Sequence, residues 1–287
     1  MSLLRWGVIG VGTAGRARAR AVGQRGDCQL VGVHRGRHAT EVGAPHWDDA
    51  AALLAACDVV AVCSPDSTHP AWAEQGLRAG CHVVVEYPLA GSELEAAGLF
   101  ELAREVGRVL HVEHIELLAN TTRFMAEVAL REGPAALWFT SQGQAHPDGR
   151  VHAFKQLARL HRWRAVGGEV AWIDTAVASG ATIEATVGFV SGWEVGLRAL
   201  RGPDLRRGMR WRLRARGGEA TVEGEVCTLD GVRVEAAAAP GLFLQDTDVF
   251  VGRLAGGPTY VDEALVRWGL RAAEALATPG RTEVDRL

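Results

Sequence analysis

The 287-residue sequence predicts an α/β domain with a doubly wound parallel sheet, followed by an α+β domain with a large antiparallel sheet. Three observations predict it. Residues Val8 to Gly15 read V-I-G-V-G-T-A-G, an apolar strand running into Gly10-x-Gly12-x-x-Gly15. Apolar runs then recur about every 25 residues, alternating with helix-like segments. From about residue 136 the periodicity changes to alternation, and glycine-rich turns separate the runs.

The strands of the first domain fall at 4–9, 29–34, 58–63, 82–87 and 108–114, and the helices between them at 14–24, 48–57, 69–79 and 92–106. The last helix is the best defined, with a capping box in Ser92-x-x-Glu95 and a stop at Gly107. In the second domain Met209, Trp211, Leu213 and Ala215 interleave with Arg210, Arg212, Arg214 and Arg216, a half-buried strand whose arginine row faces solvent. Turns follow at Gly217-Gly218 and Asp230-Gly231, and two helices, about 246–255 and 260–277, close the chain. The expected division is 1–118 for nucleotide binding and 119–287 for substrate, with the C-terminal helices free to pack back on the first domain.

Composition narrows the function classes. Hydrophobic residues at 48%, charged residues at 23% and a net charge of −3 exclude a nucleic-acid binder that relies on global positive charge, so any basic site is local. The five cysteines form no CxxC pair or metal-ligand spacing, which suits reduced thiols in the cytoplasm. The first strand begins by Leu3 or Leu4, leaving no room for an export signal, and no apolar stretch approaches a membrane span. The expectation is a cytoplasmic protein with no membrane or nucleic-acid partner. His111, Glu113, His114 and Glu116 suggest a metal cluster, but alternation on a strand sends His111 and Glu113 to one face and His114 and Glu116 to the other. No metal is expected. Lys155 is the only lysine, so lysine chemistry has one possible source.

The glycine spacing points to a dinucleotide. Gly10 allows a tight turn, Gly12 lets backbone approach a pyrophosphate, and Gly15 lets the next helix lie close on the sheet, so that the turn at Thr13 and Ala14 aims N–H groups at phosphate. At the end of the second strand, Val33-His34-Arg35-Gly36-Arg37 lacks the carboxylate that would repel a 2′-phosphate, and Arg35 and Arg37 are placed to pair with one. NADPH is therefore favoured over NADH. After the third strand Ser64 and Pro65 turn the chain at the ligand edge of the sheet, and His69 either caps the next helix or faces the cofactor. Glu86-Tyr87-Pro88 closes the fourth strand at the same edge.

In this order, the glycine loop, Ser64-Pro65 with His69, Glu86-x-Pro88 and an antiparallel domain, the chain resembles the glucose–fructose oxidoreductase and inositol dehydrogenase family over essentially its whole length. That resemblance implies a Rossmann domain. The family carries Glu-Lys-Pro at the third landmark, where this chain has Tyr87, and an Asp and a His in the second domain, where Gly167 to Val177 place Ile173 and Val177. A sugar hydroxyl would find no general base there.

The biliverdin reductase branch of the family is the one that this chain resembles, through Val85 to Leu89, Gly107 to Leu118, Ala158-Arg159-Leu160 and Leu242 to Phe250. The resemblance implies NADPH-dependent hydride transfer to the central methine carbon of biliverdin, a linear tetrapyrrole with two propionates. Tyr87 would orient and polarise the substrate and is able to donate a proton, with Glu86 beside it at the nicotinamide. Lys155 and Arg159, four apart, would share a helix face suited to the propionates, with Arg159 stabilising charge. His114 or Glu116 would supply a proton, fix the substrate or serve the structure alone. Two other readings stay open: an NADP-dependent oxidoreductase acting on another substrate, and a dinucleotide-sensing regulator without turnover. Oligomeric state is undetermined, and a monomer is compatible with the sequence.

Overall fold

The apolar runs of the N-terminal region form five parallel strands, β1 (Leu4–Ile9), β2 (Cys28–His34), β3 (Val59–Val62), β4 (His82–Val85) and β5 (Leu110–Val112), in the order β2-β1-β3-β4-β5. Helices α1 (Thr13–Gly23), α2 (Ala50–Ala55), α3 (His69–Arg78) and α4 (Glu93–Glu105) connect them. A parallel sheet covered on both faces needs strands that are apolar throughout, and all four residues of β3 are buried. The order reverses between β1 and β3, so a crevice opens at their carboxyl ends.

The computed structural model describes residues 3–36, 39–132, 134–143, 164, 168–206, 208–215, 218–234 and 241–283. The chain divides into two compact units, one of residues 1–115 and 240–267, the other of 116–239 and 268–287. In the first, helix α6 (Leu242–Leu254) packs on α1 and places Phe250 in the sheet core, its ring edge-on to Trp6 at 5.2 Å. The helix starts four residues earlier than the sequence pattern suggests, which brings Asp246 and Thr247 onto its buried side. Strand β5 ends at Val112, two residues sooner than expected.

The second unit opens with α5 (Asn120–Glu132), in a stretch ahead of the alternating region where the sequence reading assigns no helix. Met125, Val128 and Ala129 form its buried stripe, with a polar Asn-Thr-Thr start that masks the pattern. Strands β6 (Pro134–Gly143), β7 (Val170–Ala178), β8 (Thr182–Phe189), β9 (Glu194–Arg201), β10 (Gly208–Ala215), β11 (Gly218–Glu223), β12 (Val226–Leu229), β13 (Val232–Val234) and β14 (Gly280–Glu283) make one sheet in the order β13-β12-β11-β10-β6-β9-β8-β7-β14. It is antiparallel except where β6 runs parallel to β9. On β10, Trp211 and Leu213 are buried while Arg210 pairs with Glu223, and Arg212 and Arg214 with Glu219. Each of these three arginines is thus paired with a glutamate on the outer face. Helix α7 (Glu263–Ala277) follows α6, and no described helix is long and apolar enough to cross a membrane.

Candidate active site

The glycine loop follows β1 as its spacing requires. Gly10 has φ +89°, and a Cβ there would come within 2.6 Å of the Ser64 amide nitrogen. At Gly15 a Cβ would lie 2.0 Å from the Gly10 carbonyl oxygen. Gly12 is different: nothing lies within 4 Å of its would-be Cβ. It precedes α1, whose first turn has no acidic residue and no side-chain cap, so the N–H groups at Thr13 and Ala14 border open space. That combination, a bare helix N-terminus over a glycine-floored gap at the sheet's switch point, fits a pyrophosphate.

The end of β2 is held beside this loop by hydrogen bonds from Gly10 N–H to the His34 carbonyl (2.9 Å) and from Val11 N–H to the Arg35 carbonyl (3.0 Å). Arg35 adopts φ +58° and lays its guanidinium over the indole of Trp72, 5.5 Å from the ring centroid. His34 is buried, with Nδ1 2.8 Å from the Trp47 carbonyl and its ring edge-on to Trp72. His34 therefore braces the loop from beneath, while Arg35 is the exposed member of the pair.

Ser64 Oγ hydrogen-bonds Thr68 Oγ1 (2.7 Å), which donates to the Pro65 carbonyl (2.8 Å). His69 corrects the expectation of a helix cap. Its ring is buried, with Nδ1 2.6 Å from the Pro88 carbonyl and Nε2 2.8 Å from the Ser64 carbonyl, so it ties the loop after β3 to the loop after β4.

Glu86 and Tyr87 leave β4 ahead of a cis Tyr87-Pro88 bond. The Tyr87 ring stacks on the imidazole of His114, with centroids 4.4 Å apart. The backbone N–H of His114 donates to the Tyr260 hydroxyl (3.0 Å), which donates to Asp246 Oδ1 (2.5 Å). His111 Nε2 donates to the same carboxylate oxygen at 2.8 Å. From α1, the fully buried Arg18 donates to Asp246 Oδ2 (2.6 Å), to Thr247 Oγ1 (2.7 Å) and to Glu113. Glu113 in turn hydrogen-bonds Glu86.

Charge balance in this buried cluster is uneven, with three carboxyls around one guanidinium. Burial, and then the charge of Glu86, push the Glu113 carboxyl well above the usual range; burial also raises Glu86. Burial opposes the charge on Asp246 too, but Arg18 and the hydrogen bonds from His111 and Tyr260 outweigh it and hold that carboxyl below its ordinary value. Burial and the Asp246 charge raise the Tyr260 phenol. Asp246 is thus the carboxyl best held as an anion, whereas burial disfavours the charge on Glu86 and Glu113.

The fold brings Gly10, Gly12, Thr13, Ala14, Gly15, His34, Arg35, Ser64, Pro65, His69, Glu86, Tyr87 and His114 to the carboxyl edge of one sheet. Glu116 belongs to the second unit, in the turn Ile115–Leu118, where its carbonyl accepts from Thr122 Oγ1 (2.7 Å). Arg37, Lys155 and Arg159 lie outside the described residues. His111 and Glu113 share one side, as alternation requires, and reach the same Arg18–Asp246 cluster, while His114 turns to Tyr87; β5 stops at Val112, so Glu116 lies beyond the strand. Sequence reasoning missed Arg18, Asp246, Thr247 and Tyr260. A signal existed: Arg18 sits three residues from Gly15 and four from Val22 on the apolar face of α1, and Asp246 four from Phe250 on that of α6.

Residues 4–114 match the GFO/IDH/MocA profile, that of an oxidoreductase family with an NAD-binding Rossmann fold. Biliverdin reductase A of Mus musculus is 32% identical over 206 residues, covering 69% of this chain and 66% of that protein. UDP-N-acetylglucosamine 3-dehydrogenase of Acidithiobacillus ferrooxidans is 35% identical over 130 residues, 43% of this chain and 41% of that one. The chain thus aligns with about two thirds or less of the length of these curated relatives. Among solved structures, biliverdin reductase of Synechocystis in complex with biliverdin and NADP+ superposes with a TM-score of 0.80 at 25% identity, covering 96% of this chain and 98% of that one.

Proposed function

The chain belongs to the GFO/IDH/MocA family of NAD(P)-dependent oxidoreductases, and from that premise we propose that it reduces biliverdin to bilirubin with NADPH. The observation that carries this reading is Tyr87, an aromatic hydroxyl stacked on His114 at the position where the wider family has a lysine. A neutral phenol beside an imidazole gives a flat conjugated substrate a ring to pack on and a hydrogen-bond donor. The lysine that serves a sugar carbinol in the wider family is missing.

The bound nicotinamide supplies the hydride. This chain's residues do the rest: the Gly10–Gly15 loop and the α1 N-terminus hold the pyrophosphate, Arg35 favours a 2′-phosphate, and Tyr87 orients and polarises the pigment. Glu86 and Glu113, both raised by burial, lessen the negative charge gathered beside Asp246. Arg159, with Lys155, would face the propionates. The reading is tested by mixing the protein with NADPH and biliverdin and following the green pigment's conversion to yellow.

A second reading, an NAD(P)-dependent sugar dehydrogenase, has the support of the UDP-N-acetylglucosamine 3-dehydrogenase match. Against it stands Ile173, fully buried in β7 where the wider family has a polar residue for hydroxyl chemistry. Oxidation of UDP-N-acetylglucosamine with NAD+ or NADP+, and no pigment conversion, would favour this second reading.

A further inference from the structure

We propose that Trp72 sets the coenzyme preference by serving as the platform that holds the Arg35 guanidinium ready for a 2′-phosphate. The proposal rests on the NADPH reading and deepens it. An arginine at the tip of an exposed turn ordinarily samples many rotamers, and ordering it on binding weakens affinity. Here that freedom is already restricted. Arg35 has φ +58°, fixed by the Val11 N–H bond to its carbonyl and by Gly36 at φ +126°, where a Cβ would fall 2.6 Å from the Val11 nitrogen. The side chain then lies over the Trp72 ring at 5.5 Å, and among the described residues it has no carboxylate partner. A cation placed over indole and unpaired with an acid keeps its N–H groups for an anion.

Trp72 is itself anchored. It lies in the first turns of α3, whose His69 is bound to the Ser64 and Pro88 carbonyls, and the His34 ring meets its edge at 5.5 Å. The platform is thus tied to the loops after β2, β3 and β4 together. Its contribution is selective, because only a coenzyme with a 2′-phosphate uses the guanidinium.

Dissociation constants of NADP+ and NAD+, measured by titration calorimetry without turnover, test this. The wild-type protein binds NADP+ more tightly than NAD+. Trp72→Leu weakens NADP+ binding about three- to ten-fold and NAD+ binding less than about two-fold, and Trp72→Phe, with a weaker cation–π surface, falls between. In an Arg35→Ala background, Trp72→Leu has no further effect on NADP+. Equal weakening of both coenzymes, or a loss that persists without Arg35, overturns the role of Trp72. If the leucine variant does not fold, the phenylalanine variant decides, since a selective loss supports the platform and unchanged selectivity overturns it. A wild-type protein with no preference removes the NADPH reading itself, a result distinct from a preference that survives Trp72→Leu.

Discussion

The phenol ring of Tyr87 lies nearly parallel to the imidazole of His114, the planes inclined by 26°. The two residues each lie two positions past the last paired residues of the neighbouring strands β4 and β5, Val85 and Val112, so the stack continues the parallel register beyond the sheet. Tyr260 fixes the His114 backbone and Asp246 fixes Tyr260, which makes the orientation of Tyr87 depend on a helix far along the chain.

Tyr87→Phe keeps the ring stack and deletes the hydroxyl. With biliverdin as substrate, kcat is expected to fall about 10- to 100-fold, while the dissociation constant for NADP+ stays within about two-fold. Steady-state rates and equilibrium binding measured on the same preparation check this, and an unchanged kcat removes Tyr87 from the chemistry.

Much of this was legible in the residues themselves. The GxGxxG loop, the five parallel strands and the helix stop at Gly107 follow from local pattern, since each depends on backbone conformation or a single periodic face. What stayed hidden depends on partners distant in sequence. Arg18 reads as one more charge on a helix until Asp246 and Thr247, more than 200 residues later, come to lie against it. His69 reads as a cap because its position suits one, whereas its acceptors are the carbonyls of Ser64 and Pro88. Helix α5 was missed because a narrow stripe of Met125, Val128 and Ala129 is its main apolar signal.

Arg18→Met strips from a pocket holding Glu113 and Asp246 the only guanidinium there among the described residues. Breaking a buried pair from one side leaves uncompensated charge, so a loss of about 3–5 kcal/mol in unfolding free energy is expected, against a much smaller loss for an exposed pair such as Arg78 with Glu74. Urea denaturation of the two variants measures the contrast; equal effects would mean that the cluster is not the anchor between α1 and α6.

Glu113 also predicts a pH dependence. Its pKa is raised in the folded state, so the unfolded chain ionises first as pH increases. The stabilisation is complete below about 4.3, where an unfolded glutamate is still protonated, and is lost as pH climbs through the folded value. Glu113→Gln keeps an acceptor for Arg18 and removes the ionisation. Thermal melts across that range should show a flatter decline toward alkaline pH in the variant. A variant that parallels the wild type at every pH would assign the decline to other groups.

Gly12 and Gly10 separate the needs of the fold from those of the coenzyme. A side chain at Gly12 meets open space, and the residue's φ of −85° is one that any amino acid adopts, so Gly12→Val should leave the melting temperature within a few degrees of wild type. The same side chain fills the gap over the α1 N-terminus and should weaken NADP+ binding by more than about ten-fold. Gly10→Ala should do the reverse in order of cause: at φ +89°, with Ser64 backbone 2.6 Å from the new carbon, it destabilises the loop first and loses coenzyme as a consequence. Melting curves with and without NADP+ distinguish the two, since the Gly12 variant loses the coenzyme-induced rise in melting temperature without a lower starting point. If Gly12→Val still shows the full rise, the pyrophosphate does not lie over that residue.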